Sequence, residues 1–227
     1  MRVIALIPAA GSGTRLGEAR PKAFVELGGR TLLEWSVAAA RASGVIDDVV
    51  VVVPAALCEE TVRLLPDVHV VPGGAERSDS VRAGLAVADA DLVLVHDAAR
   101  SLTPPELFAR VVEALLAGSR AVVPGLPVAD TLKRVDDVGR VLGTPDRAEL
   151  RAVQTPQGFD TATLRRAHAT GADATDDAAL IEALGVDVQV VPGDHLAFKI
   201  TTPFDLRLAR LLCDERNPTP TGEHTCE

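Results

Sequence analysis

Short apolar runs alternate with amphipathic segments along most of the chain. The runs are rich in valine, isoleucine and leucine, and several have no polar residue inside them, which is typical of strands buried on both faces of a sheet. The predicted strands are residues 3–7, 48–53, 69–71, 92–95, 121–123 and 186–191. The pattern therefore predicts a sheet that is covered by other elements on both sides.

The segments between these runs have helical periodicity and recognisable ends. Thr31 and Glu34 have the spacing of a capping box, and Thr175-Asp176-Asp177 is a capping sequence. The predicted helices are residues 32–43, 55–65, 78–88, 104–117, a segment from about 175 to 185, and 203–216. Alternating strands and helices predict a single Rossmann-like α/β domain, residues 1–216, with three layers and a mainly parallel sheet.

The first predicted strand leads directly into a loop of small residues, Pro8-Ala-Ala-Gly-Ser-Gly-Thr-Arg15, which runs on to Lys22. Glycines let the main-chain N–H groups face a ligand, and such loops bind phosphate. The spacing G-x-G-x-x-x-G differs from the dinucleotide fingerprint, and Gly-Lys-Ser/Thr is absent. A tight turn whose glycines serve geometry alone stays open, but Arg15 and Lys22 favour a nucleoside triphosphate.

Two further loops with polar residues follow the strands at 69–71 and 92–95. One carries Arg77 and Ser80, and the other carries Asp97 and Arg100. Because ligands bind at the carboxyl ends of parallel strands, the three loops are expected to meet at one edge of the sheet. Asp97 is interpreted either as a helix cap or as a contact to magnesium or to a sugar hydroxyl. His96 is interpreted as structural.

Residues 126–149 have a different pattern, in which apolar and polar residues alternate about a turn at 136–139. A hairpin this short has little core of its own, so we expect this arm to pack on a second copy of the protein. One side of the arm is apolar, with Val128, Leu132, Val135, Val138, Val141 and Leu142. The polar side carries Thr131, Lys133, Arg134 and Arg147. Residues 217–227 are predicted to be disordered.

Composition narrows the range of ligands and cellular compartments expected for this protein. The net charge of −9 argues against a nucleic-acid surface, so an anionic ligand needs local cations. The odd cysteine count and the absence of a long apolar run or a signal-peptide pattern suggest a cytoplasmic protein. Only three of the 23 basic residues are lysines, namely Lys22, Lys133 and Lys199. A lysine retained in an arginine-rich chain suggests a position that needs a compact ammonium group.

Taken together, the motifs resemble the 2-C-methyl-D-erythritol 4-phosphate cytidylyltransferase family over residues 1–216. The motifs that carry the resemblance are Pro8-Ala-Ala-Gly-Ser-Gly-Thr-Arg15, Pro21-Lys22, Gly73-Gly74-x-x-Arg77-x-x-Ser80, His96-Asp97-Ala98-Ala-Arg100, Asp130-Thr131-x-Lys133, Asp146-Arg147, Gln154-Thr155-Pro156-Gln157, Thr175-Asp176 and Lys199. The resemblance implies transfer of CMP from CTP to methylerythritol phosphate, a divalent cation that is usually magnesium, and a homodimer clasped by the arm.

The resemblance also implies a role for each matching residue. Arg15, Lys22, Arg147 and Lys199 are expected to be catalytic. The expected CTP-binding residues are Pro8, Ala9, Ala10, Gly11, Gly13, Gly74, Arg77 and Ser80. Those expected around the sugar phosphate are Asp97, Ala98, Arg100, Thr131, Thr155 and Thr175, with Thr131 and Arg147 supplied by the partner subunit. Asp97 is the expected metal ligand, directly or through water.

Three alternatives follow from the same residues. A cytidylyltransferase for another polyol phosphate, such as ribitol 5-phosphate, would share the nucleotide half and much of the arm. A nucleotide-binding regulator would keep the fold without catalysis, but would be expected to lack one of the cations or Asp97. A dehydrogenase is disfavoured by the glycine spacing and by the second strand, which ends in Val53-Pro54 and lacks the acidic residue that binds ribose.

Overall fold

A computed structural model describes residues 1–11, 16, 20–74, 76–172 and 174–216. Residues 215 and 216 are described by their backbone alone. The strands are β1 (Val3–Pro8), β2 (Glu26–Leu27), β3 (Arg30–Thr31), β4 (Asp48–Val53), β5 (His69–Pro72), β6 (Leu92–Val95), β7 (Ala121–Pro127), β8 (Arg134–Val135), β9 (Val141–Gly143), β10 (Arg151–Val153), β11 (Gln157–Asp160) and β12 (Gln189–Pro192). The helices are α1 (Leu32–Ala42), α2 (Cys58–Leu64), α3 (Arg77–Val87), α4 (Pro105–Leu116), α5 (Thr161–Ala169), α6 (Asp177–Ala183) and α7 (Pro203–Arg216).

The central sheet has the strand order β10-β7-β11-β6-β1-β4-β5, and β12 pairs with β7. β5, β4, β1 and β6 run parallel to one another, and β12 runs parallel to β7. β11 runs antiparallel to both neighbours, and β10 runs antiparallel to β7. The prediction of a mainly parallel sheet is therefore confirmed.

The middle strands are buried on both faces, as their unbroken apolar sequences predict. Successive side chains of a strand point to opposite faces, so Ala5 and Ile7 join one apolar cluster while Ile4 and Leu6 join the other. α1 and α4 cover the first face, and α3, α5 and α6 cover the second. The predicted three-layer α/β domain is confirmed. Among the described residues, no helix combines the length and apolar character needed to cross a membrane.

A third apolar cluster holds segments that flank the cavity described in the next section. It joins Leu27 of the β2–β3 pair to Ile200 and to Leu206 and Ala209 of α7. The single helical turn Lys22–Phe24 precedes β2 and is anchored by the fully buried Phe24. Packing of α7 therefore fixes the backbone next to Lys199, and burial of Phe24 in the first apolar cluster fixes the backbone next to Lys22.

The region from 121 to 169 differs from the sequence prediction. β7 continues to Pro127, although the predicted strand ended at residue 123. Pro124 has no N–H, but its carbonyl accepts a hydrogen bond from Gln154 N at 2.8 Å. β11 was not predicted because Gln157-Gly-Phe-Asp160 has no strand pattern. Its Gly158 is required by close packing, since a Cβ there would lie 2.5 Å from Val111. α5, which Asp160 caps, was also missed.

The arm is a hairpin, but a less regular one than predicted. β8 and β9 are antiparallel and very short, and residues 128–133 form no regular strand. The predicted turn is confirmed, since Asp136 N donates to Arg140 O at 3.0 Å and Gly139 has a φ of 82°. Regular pairing is limited because the arm packs against little else in its own chain.

Candidate active site

The three predicted loops meet at the carboxyl edge of β1, β5 and β6, around a cavity of about 240 Å³. This confirms the expected convergence of the loops. The cavity is lined by Pro8, Ala9, Ala10, Gly11, Lys22, Ala23, Gly74, Glu76, Arg77, Ser80, Asp97, Ala98, Ala99 and Lys199. Most of the residues that the sequence predicted for a nucleotide site are therefore brought together.

The first two loops touch each other, and Gly73 makes this contact possible. A Cβ at Gly73 would lie 2.5 Å from Cβ of Ala10 and 2.9 Å from Oγ of Ser80. Ala9 N donates to Val52 O at 2.7 Å, which continues the β1–β4 ladder into the loop. Pro8, Ala9, Ala10 and Gly11 thus form a fixed wall of the cavity. Gly13 and Arg15 lie outside the described residues, so their roles stay predictions.

The second loop presents the start of α3 to the cavity. Arg77 is the first residue of the helix, and Ser80 lies one turn further on. Ser80 is buried, and its hydroxyl donates to Glu76 O at 3.3 Å. Gly74 must also be small, because a Cβ there would lie 2.3 Å from Cβ of Asp79. One cation and one hydroxyl therefore reach the cavity from a single helical turn.

Asp97 is an ionised carboxylate at the base of the cavity, with a side chain only 13% exposed. Its Oδ2 lies 2.7 Å from Nζ of Lys199, and its Oδ1 lies 3.5 Å from Nε of Arg77. Burial by itself would raise the pKa of Asp97, but the charges of Arg77 and Lys199 outweigh it and hold the pKa well below its usual range. The sequence left open whether Asp97 caps a helix. Its carboxylate instead forms ion pairs with Arg77 and Lys199.

Thr155 and Arg100 lie behind Asp97 and do not line the cavity. The hydroxyl of Thr155 accepts a hydrogen bond from Asp97 N at 3.0 Å. Arg100 donates to the carbonyl oxygens of Ala197 at 2.6 Å and Val153 at 3.3 Å. These contacts support the loops that carry Asp97 and Lys199. Direct contact of Thr155 or Arg100 with a substrate stays a prediction.

His96 is fully buried beneath the same loop. Its Nδ1 lies 3.0 Å from the Thr155 hydroxyl, and its ring packs on Phe108 with the centroids 4.9 Å apart. Burial lowers the pKa of His96 to about 4, so the ring is neutral at pH 7. These observations agree with the structural interpretation of His96.

Two of the three lysines line the cavity, and the third does not. Lys22 begins the turn that Phe24 anchors. Lys199 precedes buried Ile200, whose N–H donates to Ala99 O at 2.8 Å. Lys133 instead lies on the arm, where it donates to the Thr144 hydroxyl at 2.7 Å. The argument from lysine retention therefore agrees with the position of Lys22 and Lys199 at the cavity but gives no account of Lys133.

The residues predicted to act from a partner subunit do not line this cavity. Thr131 and Arg147 are exposed, and Arg147 donates to Ala129 O within the arm. Thr175 is also exposed and outside the lining; it directly precedes Asp176, which caps α6. The roles predicted for Thr131, Arg147 and Thr175 stay predictions.

Sequence reasoning missed a buried partner of Arg77, Asp177, and the buried histidine that contacts Asp177 in turn. Nη1 of Arg77 lies 2.8 Å from Oδ2 of Asp177, and Oδ1 of Asp177 lies 2.9 Å from Nε2 of His168. Asp177 was interpreted only as part of a capping sequence, which is the ordinary reason for acidic residues at a helix start. No periodic or motif signal pointed to His168, because α5 itself was not predicted.

A small-residue loop, an adjacent lysine and further cations at the carboxyl edge of a mainly parallel sheet that is covered on both faces are the features expected of a nucleotidyltransferase. The family model described as IspD, 2-C-methyl-D-erythritol 4-phosphate cytidylyltransferase, matches residues 3–215. The chain therefore belongs to the 2-C-methyl-D-erythritol 4-phosphate cytidylyltransferase family.

Similar proteins agree with this assignment. The chain is 63% identical over 216 residues to the enzyme of that name from Rhodococcus jostii, a match that covers 94% of this chain and 96% of the relative. It is 61% identical over 218 residues to that of Nocardia farcinica, covering 94% and 95%. The crystal structure of the cytidylyltransferase from Thermus thermophilus superposes with a TM-score of 0.79 at 44% identity, covering 94% of this chain and 99% of that one.

Proposed function

We propose that the cavity transfers a cytidylyl group from CTP to 2-C-methyl-D-erythritol 4-phosphate. A phosphate oxygen of the sugar attacks the α-phosphorus of CTP and forms a new P–O–P bond. The bond between the α-phosphorus and the α–β bridging oxygen breaks, and pyrophosphate leaves. The products are 4-diphosphocytidyl-2-C-methyl-D-erythritol and pyrophosphate, which is a step of non-mevalonate isoprenoid synthesis. Membership of the family supports this reaction.

The observation that carries the proposal is the convergence of Lys22, Arg77 and Lys199 on one cavity beside the small-residue loop. Two anions must approach each other in this reaction, and neither requires a strong base. Catalysis then depends on alignment of the reactants and on cations where negative charge accumulates. A chain with a net charge of −9 can provide this only through local cations such as these.

The test is pyrophosphate release from each of the four nucleoside triphosphates with a panel of polyol phosphates. Methylerythritol phosphate with CTP is expected to give the highest kcat/KM. A higher value with ribitol 5-phosphate would instead assign the chain to another polyol substrate. CTP binding without pyrophosphate release from any pair would favour a nucleotide-binding regulator.

CTP is expected to be strongly preferred over UTP, and Ser80→Ala is expected to weaken that preference. Cytosine differs from uracil in its exocyclic amine and ring acceptor, and the buried Ser80 hydroxyl lies in the cavity wall close to a main-chain carbonyl. A site whose polar groups pair with the correct base leaves them unpaired with the wrong one. The measurement is kcat/KM for both nucleotides in the wild type and in Ser80→Ala. Equal use of CTP and UTP by the wild type would contradict the prediction.

Magnesium fits the donor set of this cavity. Within the described parts of the chain no group of three or more His, Cys, Asp or Glu residues could hold a metal ion. Of the two carboxylates that line the cavity, Asp97 is less exposed than Glu76. Mg²⁺ commonly binds one or two carboxylates together with substrate phosphates and water, so a single Asp97 suffices. When bound, the ion would neutralise phosphate charge.

Removal of divalent cations is therefore expected to abolish turnover. Protein and substrates would be treated with a chelator, and pyrophosphate release would be followed as Mg²⁺ is added back. Recovery should follow the metal concentration. Full activity in the presence of excess chelator would exclude a metal requirement. Other divalent ions can be compared in the same titration.

The arm supports a homodimer as the active form. Its apolar side is exposed in the single chain, with the exposed residues Leu132, Val135, Val138, Val141 and Leu142. Exposed apolar side chains this close together commonly mark an interface, and two-stranded hairpins are marginal on their own. A second copy of the chain is the expected occupant, with Thr131 and Arg147 reaching its cavity. The expected location is the cytoplasm, with no membrane or nucleic-acid partner.

A further inference from the structure

A line of paired polar side chains leads from the cavity into the core of the domain. Lys199 pairs with Asp97 at 2.7 Å, and Asp97 lies 3.5 Å from Arg77. Arg77 pairs with Asp177 at 2.8 Å, and Asp177 contacts His168 at 2.9 Å. The first three residues line the cavity, whereas the last two lie behind it. Arg77 is therefore held between two carboxylates, one on each side.

Asp177 is a buried acid, with a side chain only 1% exposed. Burial by itself would raise the pKa of this carboxyl group, but the hydrogen bond from His168 and the charge of Arg77 lower the pKa overall. The side chain of His168 is 3% exposed. A buried charge is costly unless it is paired, so these two residues and Arg77 stabilise one another.

Asp177 is not needed to begin α6. Asp176 is the N-cap, and its Oδ1 accepts a hydrogen bond from Ala179 N at 3.0 Å. Gln157 donates a hydrogen bond to Asp176 at 2.8 Å and accepts one from Ala178 N at 3.3 Å. The backbone N–H groups of Ala178 and Ala179 at the start of the helix are therefore hydrogen-bonded without the side chain of Asp177. The described ion pairs of Asp177 are with Arg77 and His168.

We propose that Asp177 and His168 are positioning residues that hold the guanidinium of Arg77 ready for the triphosphate. This role rests on the proposed function, in which Arg77 binds CTP. A free arginine side chain loses much rotamer freedom when it binds an anion, whereas one that is already fixed loses less. His168 fixes the carboxylate, and the carboxylate fixes Arg77. Neither Asp177 nor His168 lines the cavity.

The first test is Asp177→Asn, which keeps the shape of the side chain and removes its charge. CTP affinity is expected to fall about tenfold, measured both as KM and as an equilibrium constant by calorimetry, while kcat changes much less. Asp160→Asn is the matched control. Asp160 caps α5, the helix that carries His168, and asparagine is an equally good cap, so CTP affinity should not change.

A double-mutant cycle separates positioning from general structural support. In an Arg77→Ala background, Asp177→Asn is expected to change CTP affinity less than about twofold, because the side chain through which it acts is gone. An equal effect in both backgrounds, or no effect in the wild type, would overturn the proposal. A second cycle combines His168→Gln with Arg77→Ala. His168→Gln keeps a hydrogen-bond donor for Asp177, so it should lower CTP affinity less than Asp177→Asn does, and only when Arg77 is present.

The His168 cycle decides the question if Asp177→Asn does not fold. Loss of folding in both variants would assign the pair to core stability alone and would also overturn the proposal. Failure of the wild type to bind CTP would instead reject the proposed function together with this role. If the wild type binds CTP but the substitutions at Asp177 and His168 have the same effect with and without Arg77, only the positioning role would be rejected.

Discussion

Replacing Lys22 by alanine is expected to lower kcat about 10²-fold or more, with a smaller loss of CTP affinity. Negative charge increases around the α-phosphate as the two anions meet, and a fixed ammonium group stabilises that state more than it stabilises bound CTP. A loss of this size is about 2.7 kcal/mol of transition-state stabilisation. Lys22 is suited to this role because buried Phe24 anchors its turn and its side chain lines the cavity.

Steady-state kinetics of Lys22→Ala, Lys22→Arg and Arg63→Ala would check this prediction. Arg63 is an exposed cation on α2, away from the cavity, and its loss controls for the change in net charge. Lys22→Arg should restore only part of the rate, because a planar guanidinium differs from a compact ammonium in size and hydrogen-bond geometry. A change confined to the KM for CTP would show that Lys22 only binds the nucleotide.

Mixing two inactive variants, Lys199→Ala and Arg147→Ala, is expected to restore up to half the activity of a wild-type dimer. Lys199 lines the cavity of its own chain and pairs with Asp97, whereas Arg147 lies on the arm, outside the lining. If Arg147 serves the partner's cavity, a mixed dimer has one site with both defects and one with neither. Each pure variant should be nearly inactive.

The mixed dimers would be purified by two affinity tags, so that their formation is established before activity is measured. Deletion of the arm gives a second readout, since dimerisation and activity should be lost together. No recovery in mixed dimers would mean that both residues act within one chain, because each site would then keep one defect. The arm would in that case be a clasp only.

Much of the fold could be predicted from the sequence because its information is local. Unbroken valine runs such as β4 are typical of buried strands, and Thr31 with Glu34 forms the capping box that their spacing predicts. The convergence of three loops also followed, since the carboxyl ends of parallel strands share one edge. The short strands β2, β3 and β10 were missed, as were β11 and α5. β11 and α5 have mixed sequences, and β11 owes its conformation to neighbours such as α4, on which Gly158 packs.

The candidate site divides in the same way. By itself, the sequence indicated the cavity wall, Lys22 and Arg77, because residue type and spacing are enough to predict a phosphate-binding loop and its cations. Lys199 followed from the scarcity of lysine in the chain and from the family resemblance. Only the tertiary structure decided which charges pair. Asp97 and Lys199 are far apart along the chain, yet their side chains meet at 2.7 Å. The pairing of Asp177 with Arg77 and His168 likewise depends on the packing of α3 with α5 and α6 on one face of the sheet. Ion pairs between distant parts of a chain leave no periodic trace in the sequence, because they depend on where whole elements pack and not on local spacing.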